Sequence, residues 1–365
     1  MEDNTFALSS LKRHGYSDLL RICQDSSTID SYLAAARSNL TSELAVLVDF
    51  FLLNRSAEPA QLISLIGNAF IETLRENNFI IETSTGRIAL NGMRLIFTGD
   101  IALIYDHTVK TDSYFGSDSL GLGRLVSRAP FNSATALDLC AGPGFQSMNL
   151  VMKGYSSVTA VEINERATRI GRFNARMNQL DRNIEYSNCS AFDYLETTPL
   201  KYNTIIFNPP LIPLPPDIAY SFVGHGGMHG IDITENILRR SHNCLSDDGI
   251  VEFIGCSLHS NTELHVARLL DALPEAENYE KNYFRIGDYH FGEKSKFFKN
   301  LCATITSYNE NLTEEDAWRR MQLFMEETSS IGMSTFFARW SKSNKATSKT
   351  INAFANEGAM WWPLL

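Results

Sequence analysis

The sequence predicts an α/β chain in two parts: a parallel sheet covered by helices on both faces, preceded by an N-terminal helical, winged-helix-like cap. Three observations carry this reading. From about Ala134 onward, short apolar runs of strand length alternate with longer runs of helical period. Two compact motifs, Asp138-Leu139-Cys140-Ala141-Gly142-Pro143-Gly144 and Phe207-Asn208-Pro209-Pro210-Leu211, fall at the carboxyl ends of predicted strands. Residues 1–105 instead show helical apolar spacing that ends in a hairpin signal. The expected division is a cap over 1–105 and a cofactor-binding domain over 106–365.

In the cap, Leu33 to Arg37 and Leu44 to Leu53 have helical spacing, and Glu58-Pro59-Ala60 opens a further helix with proline in its first turn. Leu62 to Ile66 and Phe70 to Glu76 add two apolar faces. Phe79–Thr83 and Arg87–Leu90 flank Ser84-Thr85-Gly86, a hairpin signal. Helices followed by a small wing suggest a DNA-binding shape. The helices before the wing are not basic, so the unit reads as an accessory or dimerising cap.

In the second part, Ala136–Leu139, Ser157–Ile163, Ile184–Tyr186, Thr204–Phe207 and Gly249–Gly255 read as strands. Phe145–Lys153, Ala167–Asn178 and Ile233–Asn243 read as the helices between them. Such alternation makes a parallel sheet whose ligands sit beyond the carboxyl ends of the strands. Further on, Tyr283–Ile286, Ala303–Thr306 and Thr335–Trp340 read as the last strands, and Thr313 with Asp316 starts a helix.

The 365-residue chain has a net charge of −10 and 44% hydrophobic residues. It can bury a sizeable core, and its acidity argues against broad phosphate-driven nucleic-acid binding. The six cysteines are scattered without a Cys-x-x-Cys pair. They read as free thiols, not as a disulfide frame or zinc site. No signal peptide or membrane span is expected, which places the chain in the cytoplasm.

Gly142 and Gly144 permit a sharp turn and close backbone approach to a ligand, and the following helix points its amide end at the same place. Ser147 stands where a dinucleotide fingerprint has its third glycine. Asp138 suits the ammonium group of S-adenosylmethionine, and Glu162 at the next strand end suits ribose hydroxyls, with Ile163 beside the adenine. In Asn208-Pro209-Pro210 the prolines fix the backbone. The Asn208 amide oxygen and the Pro209 carbonyl then accept two N–H bonds from one nitrogen and aim its lone pair. Tyr114, Phe115, Phe145, Phe192, Tyr220 and Phe222 are the aromatic candidates to face a sulfonium, with Tyr114 first. His225 and His229, in a glycine-rich loop, are candidate bases. No metal is expected.

Asp138 to Gly144, Glu162 and Asn208 to Leu211 resemble the class I S-adenosylmethionine-dependent methyltransferases of the Asn-Pro-Pro branch, which includes release-factor glutamine methyltransferases and small methyltransferase domain proteins. The likeness extends to Tyr114–Ser119, similar to a cofactor-lid loop, and to Gly226–Gly230. It implies a Rossmann-like seven-stranded sheet. It also implies cofactor contacts from Phe115, Asp118, Asp138, Gly142, Gly144, Glu162, Ile163, Ser190, Ala191 and Asn208, with Asn208, Pro209 and Tyr114 in catalysis. Two departures stand out: Leu211 where the family has an aromatic, and Ser190 where it often has an acid.

The leading expectation is methyl transfer to a nitrogen of a small molecule, with no nucleic-acid or membrane partner and with a homodimer possible through the apolar tail, Met360 to Leu365. One rival is the intramolecular cyclisation of S-adenosylmethionine to azetidine-2-carboxylate and methylthioadenosine, known in natural-product biosynthesis. Others are protein glutamine methylation, disfavoured by Leu211, and a winged-helix regulator with a vestigial cofactor fold.

Overall fold

The computed structural model describes residues 2–22, 37–107, 112–260 and 263–352. The apolar tail, Cys23 and nearly all of the Leu33–Arg37 helix expected from the sequence lie outside the described residues.

The N-terminal part holds α1 (Glu2–Arg13), α2 (Tyr16–Ile22), α3 (Ser42–Phe51), α4 (Pro59–Ile66) and α5 (Asn68–Glu76). Thr41 caps α3 by accepting the Leu44 amide, and Pro59 occupies the first turn of α4. Strands β1 (Ile80–Glu82) and β2 (Ile88–Leu90) pair antiparallel around the expected turn. A second hairpin, β3 (Met93–Thr98) with β4 (Ile101–Asp106), is not anticipated by the sequence. β4 carries an unbroken apolar run, Ile101 to Tyr105, because both of its faces are covered. On β4, Ala102 and Ile104 enter the core of the helical cap, while Ile101, Leu103 and Tyr105 enter the core of the following sheet layer. The strand therefore belongs to two cores by simple alternation.

The rest of the chain runs α6 (Ser117–Leu125), β5 (Thr135–Leu139), α7 (Phe145–Met152), β6 (Ser157–Val161), α8 (Glu165–Met177), β7 (Ile184–Ser187), α9 (Ala191–Thr197), β8 (Tyr202–Phe207), α10 (Asp232–Ser241) and β9 (Leu245–His259). It continues through α11 (His265–Asp271), β10 (Tyr279–His290), α12 (Lys296–Tyr308), α13 (Glu314–Glu327), β11 (Gly332–Lys342) and β12 (Thr347–Asn352). One sheet has the order β12-β10-β11-β9-β8-β5-β6-β7. The steps from β7 to β9 are parallel, and β11 is antiparallel to both β9 and β10. The sheet has eight strands where seven were expected, because β12 adds in parallel at the β10 edge. The strand order reverses between β5 and β8, the position where ligands bind in open α/β sheets.

Two expectations are corrected. Ala303–Thr306 is not a strand but part of α12, whose Phe298, Leu301, Cys302 and Ile305 are buried at helical spacing. Its β-branched threonines are accommodated by donating to carbonyls one turn back, Thr304 to Asn300 and Thr306 to Cys302. That amphipathic spacing overrides local β preference. Ser117–Ser119, read as part of a loop, instead opens α6. Among the described residues no helix is long and apolar enough to cross a membrane.

The cap is joined to the sheet layer through α8. Ile170, Phe173 and Met177 of that helix sit in the cap core. Asn174 and Asn178, one turn apart, act as a substitute strand along β4. Their Oδ1 atoms accept the Ile104 and Ala102 amides at 2.9 Å each, and their Nδ2 atoms donate to the carbonyls of the same residues at 2.8 and 2.7 Å.

Candidate active site

The register of the sheet assembles the site. Leu139 pairs with both Val161 and Phe207, and Val161 pairs with Ser187. The residues that follow this row, Cys140, Glu162, Asn188 and Asn208, therefore leave neighbouring strands at one level. Beyond them lies a cavity of about 430 Å³.

One wall is a turn. Cys140, Gly142 and Gly144 all have positive φ, at 58°, 53° and 81°. Gly144 has no room for a side chain, since a Cβ there would lie 2.2 Å from the Tyr186 hydroxyl. Asn174, 0% exposed, donates to the Pro143 carbonyl at 2.8 Å and so ties this turn to β4. Glu162 faces the turn, and its two carboxylate oxygens accept the Gly142 and Asn164 amides, each at 2.8 Å. Burial raises its pKa, and the amides of Asn164, Gly142 and Ile163 oppose the shift. Each oxygen keeps a further lone pair for a ligand hydroxyl. Ile163, Ser190 and Ala191 complete this side, and Ser190 also caps α9 by accepting the Phe192 amide.

The opposite wall is built from side chains. Tyr114 and Asn208 line the cavity and meet on Asp118 behind it. The Tyr114 hydroxyl donates to one carboxylate oxygen and Asn208 Nδ2 to the other, both at 2.7 Å. Asn208 Nδ2 also reaches Ser119 Oγ at 3.3 Å. Its amide orientation is thereby set, and Asn208 Oδ1 is left enclosed without a hydrogen-bond partner. Burial raises the Asp118 pKa, while the bonds from Asn208 and Tyr114 pull it back.

Gly142, Glu162, Ile163, Ser190, Ala191, Phe115, Tyr114 and Asn208 all line the cavity, as do Phe145, Phe192 and Phe222. Six expected residues do not. Asp138 is 1% exposed beneath the turn, where Ser147 Oγ donates to Oδ2 at 2.5 Å and Oδ1 has no partner. Burial pushes its pKa up to about 7. The turn that follows the strand covers it, so it supports that turn from behind. Asp118 is likewise a support for Tyr114 and Asn208, not a wall residue. Gly144 and Pro209 lie behind lining neighbours. Tyr220 is also off the wall, with its ring 5.8 Å from that of Tyr308. The two loop histidines part: His225 is on the wall and His229 is not. Leu211 is buried in the core at 8% exposure and does not line the cavity.

Sequence reasoning missed Ser119, Cys140, Gln146, Val223 and Ile233 as lining residues, along with Asp112 just ahead of the Tyr114–Ser119 motif. Ser119 and Cys140 stand inside motifs that were read, but Gln146, Val223 and Ile233 carry no local signal. Among the described residues no group of three or more His, Cys, Asp or Glu side chains is assembled to hold a metal.

The family model for the methyltransferase small domain matches residues 115–283. A "Putative protein N5-glutamine methyltransferase" of Methanocaldococcus jannaschii is 28% identical over 131 residues, 35% of this chain and 64% of that one. A ribosomal protein uL3 glutamine methyltransferase of Bradyrhizobium diazoefficiens is 29% identical over 150 residues, 38% of this chain and 45% of that one. The match thus spans less than two thirds of either curated relative. Among solved structures, an S-adenosylmethionine-dependent methyltransferase from Agrobacterium tumefaciens is 14% identical with a TM-score of 0.41, covering 74% of this chain and 79% of that one. With the strand-end turn, the facing acid and Asn208-Pro209-Pro210 at one edge of the sheet, residues 115–283 are similar to the methyltransferase small domain, which supports a class I S-adenosylmethionine-dependent methyltransferase of the Asn-Pro-Pro type.

Proposed function

We propose that this protein transfers the methyl group of S-adenosylmethionine to a nitrogen held by Asn208, and that the nitrogen is that of a glutamine-type carboxamide. The observation that carries the reading is the enclosed, unpartnered Asn208 Oδ1 on the cavity wall. A buried acceptor without a partner is costly, and a bound N–H relieves that cost.

The residues fit the cofactor. Gly142, Glu162, Ile163, Ser190 and Ala191 would hold its nucleoside, and the rings of Tyr114 and Phe115 suit its positive charge. S-adenosylmethionine supplies a methyl group already activated by the sulfonium. The chain's own task is then positioning. Asp118 and Ser119 engage Asn208 Nδ2, which leaves Oδ1 as the amide atom to accept a substrate N–H. The Tyr114 hydroxyl is held by the same carboxylate, which ties the aromatic wall to the clamp.

The sequence favoured a small-molecule amine, because Leu211 replaces an aromatic that would pack on a planar amide. Leu211 lies in the core, so that position does not speak against an amide. Phe222, 68% exposed, supplies a ring on the cavity wall instead. Both curated relatives carry glutamine methylation in their names. The small-molecule amine remains the second reading.

The test is mass spectrometry of the protein with S-adenosylmethionine alone and with N-acetylglutamine methylamide or its amine analogue, N-acetylornithine methylamide. S-adenosylhomocysteine formed with a methylated acceptor supports nitrogen methylation, and the preferred probe separates amide from amine. Methylthioadenosine from S-adenosylmethionine alone would replace the reading with cyclisation.

A further inference from the structure

We propose that His225 determines acceptor specificity: its own loop holds it in one tautomer, and its Nε2–H donates to the oxygen of the carboxamide whose nitrogen Asn208 accepts. The proposal rests on the methyl-transfer reading above and adds a second contact to it.

His225 shares the cavity lining with the apolar Pro210, Phe222, Val223 and Ile233. A polar ring in such a wall is placed to bond a ligand or to bond its own loop. It bonds its loop through one nitrogen, since Nδ1 accepts the Gly227 amide at 3.1 Å. A backbone amide has a proton only to give, so Nδ1 carries the lone pair and the neutral ring carries its proton on Nε2. This argues against the expected role as a base, because the nitrogen left for the ligand is already protonated.

The loop that sets the ring is not free to wander. Residue 225 bridges to Ile212 in parallel fashion. Ile212 donates to Gly224 at 2.9 Å, Gly226 to Ile212 at 3.0 Å and Leu214 to Gly227 at 3.0 Å. Gly227 has φ +81°, and a Cβ there would fall 2.0 Å from an Asp232 oxygen. His225 is thus laced to the segment that directly follows Asn208-Pro209-Pro210, and the two polar groups are carried by one unit. Asn208 offers an acceptor and His225 a donor. A carboxamide presents the complement, N–H and C=O on one planar group, whereas an amine has no oxygen to give. A site built to bond both atoms discriminates against the analogue that lacks one.

The first measurement is the ¹⁵N spectrum of the His225 ring in the intact wild-type protein, assigned by its absence in H225N. The Nε2–H tautomer is expected, with its Nε2 signal shifting when N-acetylglutamine methylamide is added at saturating S-adenosylmethionine. The Nδ1–H tautomer, or an unmoved Nε2 signal, overturns the proposal. Kinetics give a second reading. His225→Asn keeps an acceptor for the Gly227 amide but loses the outer donor, and should raise KM for the amide probe about tenfold, the worth of one hydrogen bond. KM for the amine probe and the affinity for S-adenosylmethionine should hold, and His225→Gln, which can place an N–H near Nε2, should recover part of the loss. If both variants weaken S-adenosylmethionine binding equally, the ring serves the loop alone and the proposal fails. Methylthioadenosine formation would sink the methyl-transfer reading, whereas a wrong tautomer sinks only His225.

Discussion

The wall of the proposed cofactor side, Cys140 to Gly144 with Glu162, is mainly backbone held by backbone: three positive φ angles and a carboxylate gripped by amides. The wall of the proposed acceptor side rests on side chains: Tyr114 and Asn208 meet on Asp118, and His225 is set by the Gly227 amide of its own loop. The contrast has a physical basis. A shared cofactor can be gripped through groups every residue has, so its signature is glycine and one acid. An acceptor is chosen by particular donors and acceptors, which only side chains from separate elements supply.

The comparison can be broken or sharpened by mutation. Asn208→Ala should give the largest effect, a fall in kcat of about 10²–10³-fold, comparable to losing one preorganised hydrogen-bonding group. Its affinity for S-adenosylmethionine in calorimetry should stay near wild type; loss of that affinity would show that the walls are not separable. Asn174→Ala removes bonds to Ile104 and to the Pro143 carbonyl, all inside the core. It should lower stability by about 3 kcal/mol in urea and weaken cofactor binding, because here a side chain does hold the backbone turn. An unchanged cofactor affinity would mean that the turn needs no tie to the cap. Gly144→Ala should cost about 1–3 kcal/mol for its positive φ and reduce cofactor affinity while leaving the Tyr114–Asp118–Asn208 cluster intact.

The smallest effect is a pH dependence. Asp138 has its pKa raised by burial to about 7, so the folded chain keeps a proton that the unfolded chain releases near pH 4. Its contribution to stability is greatest below that value and is lost as pH rises from about 4 to about 7. Asp138→Asn can still accept from Ser147 and should flatten that slope, giving a relative gain in melting temperature at pH 8. If it also abolishes S-adenosylmethionine binding, the carboxylate serves the ligand directly, against its position beneath the turn.

Much of the fold was legible because its signals are local. Alternating strand and helix periods, the Thr313 cap and the Ser84-Thr85-Gly86 hairpin each depend on residues a few positions apart. The β3–β4 hairpin and α12 were not legible, since burial on both faces erases strand alternation and β-branched threonines imitate a strand. The site divides in the same way. Gly142, Glu162 and Asn208 announce themselves at strand ends, while nothing local tells that Asp118 serves Asn208, ninety positions away, or that Leu211 turns into the core.

The amino-acid order alone determined the strand-turn-helix with its glycines, the acid one strand over and the proline-stiffened asparagine, because backbone conformation and chemical type reside in single residues and their neighbours. The tertiary structure alone decided that Asp138 is a buried prop, that Asp118 joins Tyr114 to Asn208, and that His225 reaches the cavity while His229 does not. These outcomes depend on which strands pair and in what register, and that is settled by the packing of distant segments against one another.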